Sequence, residues 1–136
     1  MVAHIGSPNP VLVVDDDAAY RYLVAKHLAQ NGVPAIEARD TMEALDILDA
    51  HAEINRAVID LMMPHGLATG ISFARMARQR RPDFRCVLMS GFSELIGEPD
   101  FADFGGVLPK TSDLTGFVRE ILVRLEGRGP ASPQKP

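Results

Sequence analysis

The residues of this sequence that could bind a ligand stand at the ends of short apolar runs. The run 57–59 leads directly into Asp60, and Pro64 ends the pattern soon after it. This pattern is typical of a strand buried on both faces, with Asp60 at its carboxyl end, where open parallel sheets bind ligands. An acid there can also cap the next turn or lie half-buried on the surface, so Asp60 alone decides little. The same pattern recurs, however, and places four more polar residues after or beside apolar runs: Asp15, Asp16, Ser90 and Lys110.

Strand and helix patterns alternate along the chain and predict the scaffold that positions these residues. Apolar and β-branched runs predict five strands, at 11–14, 33–38, 57–60, 84–89 and 106–110, and Pro34 suits the second to a sheet edge. Helical periodicity predicts helices at 18–30, from residue 40, at 71–81 and at 113–125. The fold class is therefore α/β, a doubly wound five-stranded parallel sheet flanked by helices. The five polar residues then lie on one rim of the sheet.

The second predicted helix has both a start signal and an apolar face. Asp40 stands three residues before Glu43, which resembles a capping box at a helix start. The apolar face of this helix is predicted to contain Met42, Leu45, Ile47 and Leu48.

The composition describes one compact soluble domain. With 136 residues, 46% of them apolar, the chain can bury one core. We expect a flexible lead at 1–10, one domain at 11–126 and a disordered tail at 127–136. The lone Cys86 lies in an apolar run and is predicted to be a buried, inert thiol.

Charge and hydropathy exclude several functions. The net charge of -4 argues against direct nucleic-acid binding, and four arginines of the third helix are interpreted as its solvated face: Arg75, Arg78, Arg80 and Arg81. No apolar stretch is long enough to cross a bilayer, and the start lacks a basic leader. We therefore expect a cytoplasmic protein without a membrane partner.

In order and separation, these residues resemble the receiver domain of two-component response regulators, over nearly the whole stretch 11–125. The matching marks are Asp15 and Asp16 after the first strand, Asp60 followed by Met63 and Pro64, Ser90 with Gly91, and Lys110 after the fifth strand. The resemblance implies the CheY-like (flavodoxin-like) strand order 2-1-3-4-5, which is the order of the family's chemotaxis regulator.

The resemblance also implies a role for each residue. Asp60 would be the phosphoacceptor, Lys110 and Ser90 would bind phosphoryl oxygens, and Mg2+ would be the cofactor. Asp16 and Asp60 would bind the ion directly, Asp15 through a water, and Met62 through its backbone carbonyl. The donor would be a phosphohistidine on a sensor histidine kinase or a histidine phosphotransfer protein. The chain would then be a signalling switch rather than an enzyme, acting on an unknown downstream protein.

Several features depart from the family pattern. Val107 occupies the place of an aromatic three residues before the lysine, and a valine cannot change rotamer as a ring does. Any relay of the phosphorylation signal would use other groups, for which Phe92 and Phe104 are the candidates. Lys110 is followed by Thr111 instead of proline, and a cis bond there would cost about 3 kcal/mol. The loop 65–70 looks long, and the segment before the fifth strand looks too short and broken for the usual fourth helix. The apolar Met62 cannot orient an attacking water, which predicts slow self-dephosphorylation.

Two other functions remain open at this point. A degenerate receiver could act as a phosphorylation-independent protein-interaction module, which Val107 and Thr111 mildly favour. A phosphatase with its nucleophile after the first strand fits the residues 15–19 poorly. The chain could be a stand-alone regulator or a receiver from a larger hybrid kinase.

Overall fold

Five short strands form one parallel sheet in the computed structural model, which describes residues 9–62, 68–92 and 99–126. The strands run in the order β2-β1-β3-β4-β5, and every pair is parallel. This order confirms the predicted doubly wound fold class, with β2 at an edge directly after Pro34. The strands are β1 (Val11–Val14), β2 (Ala35–Ala38), β3 (Arg56–Asp60), β4 (Arg85–Ser90) and β5 (Val107–Pro109).

Four α-helices of the described ranges connect or follow these strands, and aspartates begin three of them. Asp17, Asp40 and Asp113 each accept a hydrogen bond from a backbone N–H three residues later, which satisfies a donor that the first helical turn leaves free. The Glu43 carboxylate accepts from the N–H of Arg39 rather than of Asp40, so the predicted capping box is only half formed. The helices are α1 (Ala18–Gln30), α2 (Thr41–Ala50), α3 (Ala68–Arg80) and α4 (Leu114–Leu125).

The sheet separates two apolar cores. One core packs α2 and α3 against one face, and the other packs α1 and α4 against the opposite face. Alternate residues of the central strands supply the two cores, which explains why β1 and residues 57–59 of β3 are apolar without interruption. Cys86 is buried, as predicted. No helix within the described ranges has both the length and the hydropathy that a bilayer crossing requires.

Two predicted surfaces were partly wrong. Met42 is 74% exposed, whereas Leu48 of the same helix is fully buried. Arg81 is not on a solvated face, because its guanidinium donates to the carbonyls of Leu48, His51 and Ile54 and so satisfies the end of α2.

A 3-10 helix, Pro99–Phe104, stands before β5, and the described residues contain no α-helix between β4 and β5. The predicted short, broken segment is thus observed as far as it is described. The Arg78 guanidinium lies 4.0 Å from the centre of the Phe104 ring and donates to the Asp103 carbonyl, so Arg78 is also not merely solvated. Gly105 and Gly106 both have positive φ, at 82° and 84°, a conformation that glycine adopts without strain.

Some expectations fall outside the described residues. These are residues 1–8 of the predicted lead, the tail at 127–136, the motif residues Met63 and Pro64, most of the loop 65–70, and residues 93–98.

Gly70 lets α3 approach the end of β3. A Cβ at this position would lie 2.4 Å from the Asp60 carbonyl oxygen and 3.0 Å from the Leu61 Cα, both in the backbone. Any side chain here would push the helix away from the strand that ends at Asp60.

The close approach predicts that Gly70→Ala destabilises the domain by about 2 kcal/mol, the usual cost of overpacking a rigid contact. Urea unfolding measures this loss. Gly91→Ala is the control, since a Cβ at Gly91 meets nothing within 4 Å, and its effect should stay within about 0.5 kcal/mol. Equal midpoints for the two variants would contradict the contact.

Candidate functional site

The turn after β1 holds Asp15 rigidly. Its side chain is fully buried, and its Oδ1 accepts a hydrogen bond of 2.9 Å from the N–H of Asp17. The Arg21 guanidinium donates to the Asp15 carbonyl at 2.8 Å and pairs with the Glu37 carboxylate of β2 at 2.8 Å. Arg21 therefore ties the end of β1 to the edge strand, which limits where the Asp15 carboxylate can point.

The end of β3 holds Asp60 just as closely. Its side chain is almost fully buried, and its Oδ1 accepts a 3.1 Å hydrogen bond from the N–H of Met62. In the sheet, Asp60 pairs with Met89, and the N–H of Leu61 donates to the Met89 carbonyl at 2.9 Å. The carboxylate thus lies at the same rim as the ends of β1 and β4.

Lys110 brings its ammonium group between the two buried acids. Its Nζ lies 2.8 Å from Asp15 Oδ2 and 3.4 Å from Asp60 Oδ2. Asp15 Oδ2 is buried, and this ion pair with Lys110 holds it. The N–H of Lys110 donates to the Ser90 carbonyl at 2.9 Å, which fixes the lysine backbone beside β4.

Three carboxylates converge on a volume that suits a small cation. Ligand atoms of Asp15, Asp16 and Asp60 all lie within 4.8 Å of one another, and Asp16 is the exposed member of the set. A buried carboxylate oxygen without a hydrogen-bond partner at such a cluster is a ready ligand for a hard cation. An oxygen-only donor set with one open side fits Mg2+, which retains several waters.

Burial and charge shift two pKa values at this rim. Burial, followed by the nearby Asp15 carboxylate, raises the pKa of Asp60 to about 7. For Lys110, burial opposes the charged form, but pairing with Asp15 and Asp60 outweighs it and raises the pKa of the ammonium group. The rim therefore favours a charged lysine and disfavours the charged form of the Asp60 carboxyl.

Ser90 and the aromatic candidates lie as follows. The Ser90 side chain is buried, and its Oγ accepts a 2.9 Å hydrogen bond from the N–H of Phe92, so in this state it stabilises the turn after β4. Phe92 is 48% exposed, whereas Phe104 and Val107 are buried. The roles predicted for these side chains, and for the Met62 carbonyl, stay predictions.

Two residues that sequence reasoning missed, Arg21 and Tyr20, also hold the rim. The Tyr20 hydroxyl donates to the Thr111 carbonyl at 3.0 Å and accepts from the Thr111 N–H at 3.0 Å. Lys110 Nζ lies 5.0 Å from the centre of the Tyr20 ring. The only sequence signal for Arg21 and Tyr20 was their place in the first helical turn after the acidic pair.

The peptide bond after Lys110 is trans, as predicted, like the other described peptide bonds.

Comparison with known proteins gives a consistent result. Residues 11–117 match the family model of the response regulator receiver domain. Among curated relatives, the chain is 27% identical to the photosynthetic apparatus regulatory protein RegA of Cereibacter sphaeroides over all of this chain and 73% of RegA. It is 31% identical to the response regulator MprA of Mycobacterium sp. (strain KMS) over 93% of this chain, and it spans only 56% of MprA.

A solved structure supports the same fold. The response regulator protein TrrA of Thermotoga maritima, in complex with Mg2+-BeF, superimposes with a TM-score of 0.74, covering 86% of this chain and 99% of TrrA. At 21% identity, this likeness shows the fold alone. The family match extends over most of the chain, from β1 into α4. The chain therefore belongs to the response regulator receiver domains of two-component signal transduction.

Proposed function

We propose that this receiver domain accepts a phosphoryl group on Asp60. The observation that carries the proposal is the geometry of the rim, where the Asp60 carboxylate lies 3.4 Å from Lys110 Nζ and within 4.8 Å of Asp15 and Asp16 ligand atoms. A carboxylate is a competent nucleophile for phosphoryl transfer when nearby cations offset the charge of the transferred group. Lys110 is one such cation, and the acid cluster would hold another.

Asp15, Asp16 and Asp60 would hold Mg2+, together with the backbone carbonyl of Met62. When bound, the ion would offset the acidic charge and that of the phosphoryl oxygens. The Mg2+-BeF complex of TrrA supports this choice of cofactor by similarity. The convergence of the three carboxylates supports it independently.

The chain's own residues then divide the work of the transfer. An oxygen of Asp60 forms a bond to phosphorus while the bond from phosphorus to the donor's imidazole nitrogen breaks, and the electron pair of that bond stays on the nitrogen. Lys110 pairs with a phosphoryl oxygen as its contact with Asp15 loosens. Ser90 turns its hydroxyl from the Phe92 N–H to another phosphoryl oxygen. Asp60 must be ionised to attack, which its pKa of about 7 allows at cellular pH.

The partners follow from this chemistry. The donor would be a phosphohistidine on a sensor histidine kinase or a histidine phosphotransfer protein. The proposed location of the domain is the cytoplasm, where it would meet this donor. Phosphorylation adds close to two negative charges at the rim, which would change the contacts made with a downstream protein. The proposed functional unit is the domain at 11–126. Any self-dephosphorylation would be its only catalytic turnover.

Labelling by acetyl phosphate tests the proposal. We expect the protein to take up one phosphoryl group in the presence of Mg2+ and to lose this ability in Asp60→Asn, because an amide cannot form the acyl phosphate. Intact-protein mass spectrometry measures the added mass. Asp46→Asn is the control, since Asp46 is an exposed acid of α2, and it should be labelled like the wild type.

Absence of labelling in the wild type would reject phosphoacceptor function and favour the degenerate receiver. Partner capture that is equal for wild type and Asp60→Asn would then support the interaction module. Equal labelling of the two proteins would mean that another residue is the acceptor.

The raised pKa of Asp60 predicts a pH-dependent stability in metal-free protein. A carboxyl whose pKa is higher in the folded than in the unfolded state loses stability as pH rises through the window from about 4 to about 7. Asp60→Asn should therefore melt above the wild type at pH 8 by roughly 3–6 °C, or about 1 kcal/mol after allowance for solvent screening. At pH 5 the difference should be smaller, and below about pH 4 it should vanish. A difference that is the same at pH 8 and pH 5 would contradict the shift.

The apolar Met62 predicts a long-lived phosphorylated state, lasting minutes rather than seconds. Met62→Asn should shorten it severalfold by offering a polar group to the attacking water. Decay of the purified phosphorylated protein in excess Mg2+ measures both. Met42→Asn, at an exposed methionine of α2, should decay like the wild type. Loss of phosphate from the wild type within seconds would contradict the prediction.

A further inference from the structure

Lys110 reaches the rim from a backbone that is held on both sides. On one side, the lysine's own N–H donates to the Ser90 carbonyl at 2.9 Å. On the other side, both backbone polar groups of Thr111 bond to the Tyr20 hydroxyl, each at 3.0 Å. These two contacts leave the lysine backbone little freedom, although β5 ends one residue earlier, at Pro109.

We propose that Tyr20 is a positioning residue for Lys110. Its hydroxyl holds the peptide after the lysine, and so sets where the ammonium group lies relative to Asp15, Asp60 and an incoming phosphoryl group. This inference rests on the proposed phosphoryl chemistry of Asp60.

The residue after the lysine makes this arrangement possible. Thr111 has a backbone N–H that can donate a hydrogen bond to the tyrosine oxygen, whereas a proline at this place would have no N–H. The Tyr20 hydroxyl donates one hydrogen bond to Thr111 and accepts another from it, although the two residues are 91 positions apart in the sequence. A side chain of α1 therefore holds the backbone at Thr111, two residues beyond the end of β5.

The ring of Tyr20 adds two contacts that orient the hydroxyl. It packs edge-to-face on Phe117 of α4, with ring centres 5.9 Å apart. Its face lies 5.0 Å from Lys110 Nζ, within the range of a cation–π contact. The same side chain thus contacts the lysine directly and anchors its backbone, while α4 fixes the ring.

Tyr20→Phe tests the hydroxyl without changing the ring, because phenylalanine keeps the contacts with Phe117 and Lys110 and loses only the hydrogen bonds to Thr111. Tyr22→Phe is the matched control, since Tyr22 lies two residues away on the same helix and is 54% exposed. The removed hydroxyl is partly exposed, so its loss leaves no core cavity, and circular dichroism checks the fold. If the variant does not fold, Thr111→Pro, which deletes the N–H that donates to the hydroxyl, replaces it for the labelling, beryllofluoride and Mg2+ measurements, since proline has no amide hydrogen to exchange.

Three kinds of measurement distinguish positioning from general support: occupation of the phosphoryl site, affinity for Mg2+ and amide exchange. With saturating Mg2+, Tyr20→Phe should bind beryllofluoride and be labelled by acetyl phosphate roughly fivefold less well, the effect of losing hydrogen bonds that order one cationic group. Its affinity for Mg2+ alone, measured by calorimetry, should stay within about twofold, because no proposed metal ligand is touched. The Thr111 amide should lose protection from hydrogen exchange. Tyr22→Phe should match the wild type in all three.

Each other result overturns the inference. Unchanged beryllofluoride binding and labelling in Tyr20→Phe would show that the hydroxyl does not position the lysine. A fall in Mg2+ affinity by the same factor would show that it supports the whole rim instead. If the wild type is neither labelled nor binds beryllofluoride, the proposed function itself fails and this inference falls with it. A labelled wild type with an equally labelled Tyr20→Phe overturns the inference alone.

Discussion

The sharing of one ammonium group between two buried carboxylates is the interaction on which the rim depends. Lys110 Nζ lies 2.8 Å from Asp15 and 3.4 Å from Asp60, and both acids are nearly or fully buried. One positive charge offsets one carboxylate, and burial, followed by the charge of Asp15, raises the pKa of Asp60. A proton or a further cation must complete the balance, so the rim is poised to exchange its counter-ions.

The parallel sheet imposes this crowding of charge. All strands point the same way, so their carboxyl ends meet at one edge, and the apolar cores on both faces resist any shift of the strands. Gly70 brings α3 against the backbone of Asp60, and Arg21 ties the Asp15 carbonyl to the edge strand. The acids therefore cannot separate to relieve their repulsion. The free energy of the packed sheet holds them in place.

Where this receiver departs from its family, side chains from distant parts of the chain secure the backbone. The 3-10 helix and the residues before β5 are bound by two arginines, since Arg78 donates to the Asp103 carbonyl and Arg124 donates to the Gly105 carbonyl at 2.7 Å. The buried Val107 offers no ring that could change rotamer. Tyr20 lies instead on the opposite side of β5's end, between Lys110, Thr111 and α4. Tyr20 thus joins the rim to α4 by direct contacts.

The sequence by itself determined the order of elements, the fold class and the members of the rim. Apolar runs of strand length predict the strands, and the polar residues that follow them, Asp15, Asp60 and Ser90, mark where each strand ends. A polar residue at the end of a buried strand must lie at the sheet's edge. Local capping was also readable, as the bond from the Glu43 N–H to Asp40 shows. Such signals depend only on neighbours in the chain.

Only the tertiary structure decided which acids are buried, how Lys110 divides its charge and which side chains hold the backbone. Asp15 is buried while the adjacent Asp16 is exposed, and Met42 faces solvent although it fits an apolar helical face. The bonds of Tyr20 to Thr111 and of Arg81 to the end of α2 join positions 91 and 27 to 33 residues apart. Periodicity reports which face of an element is apolar but not which distant carbonyl or carboxylate comes within hydrogen-bonding distance, because that is set by how the packed elements meet.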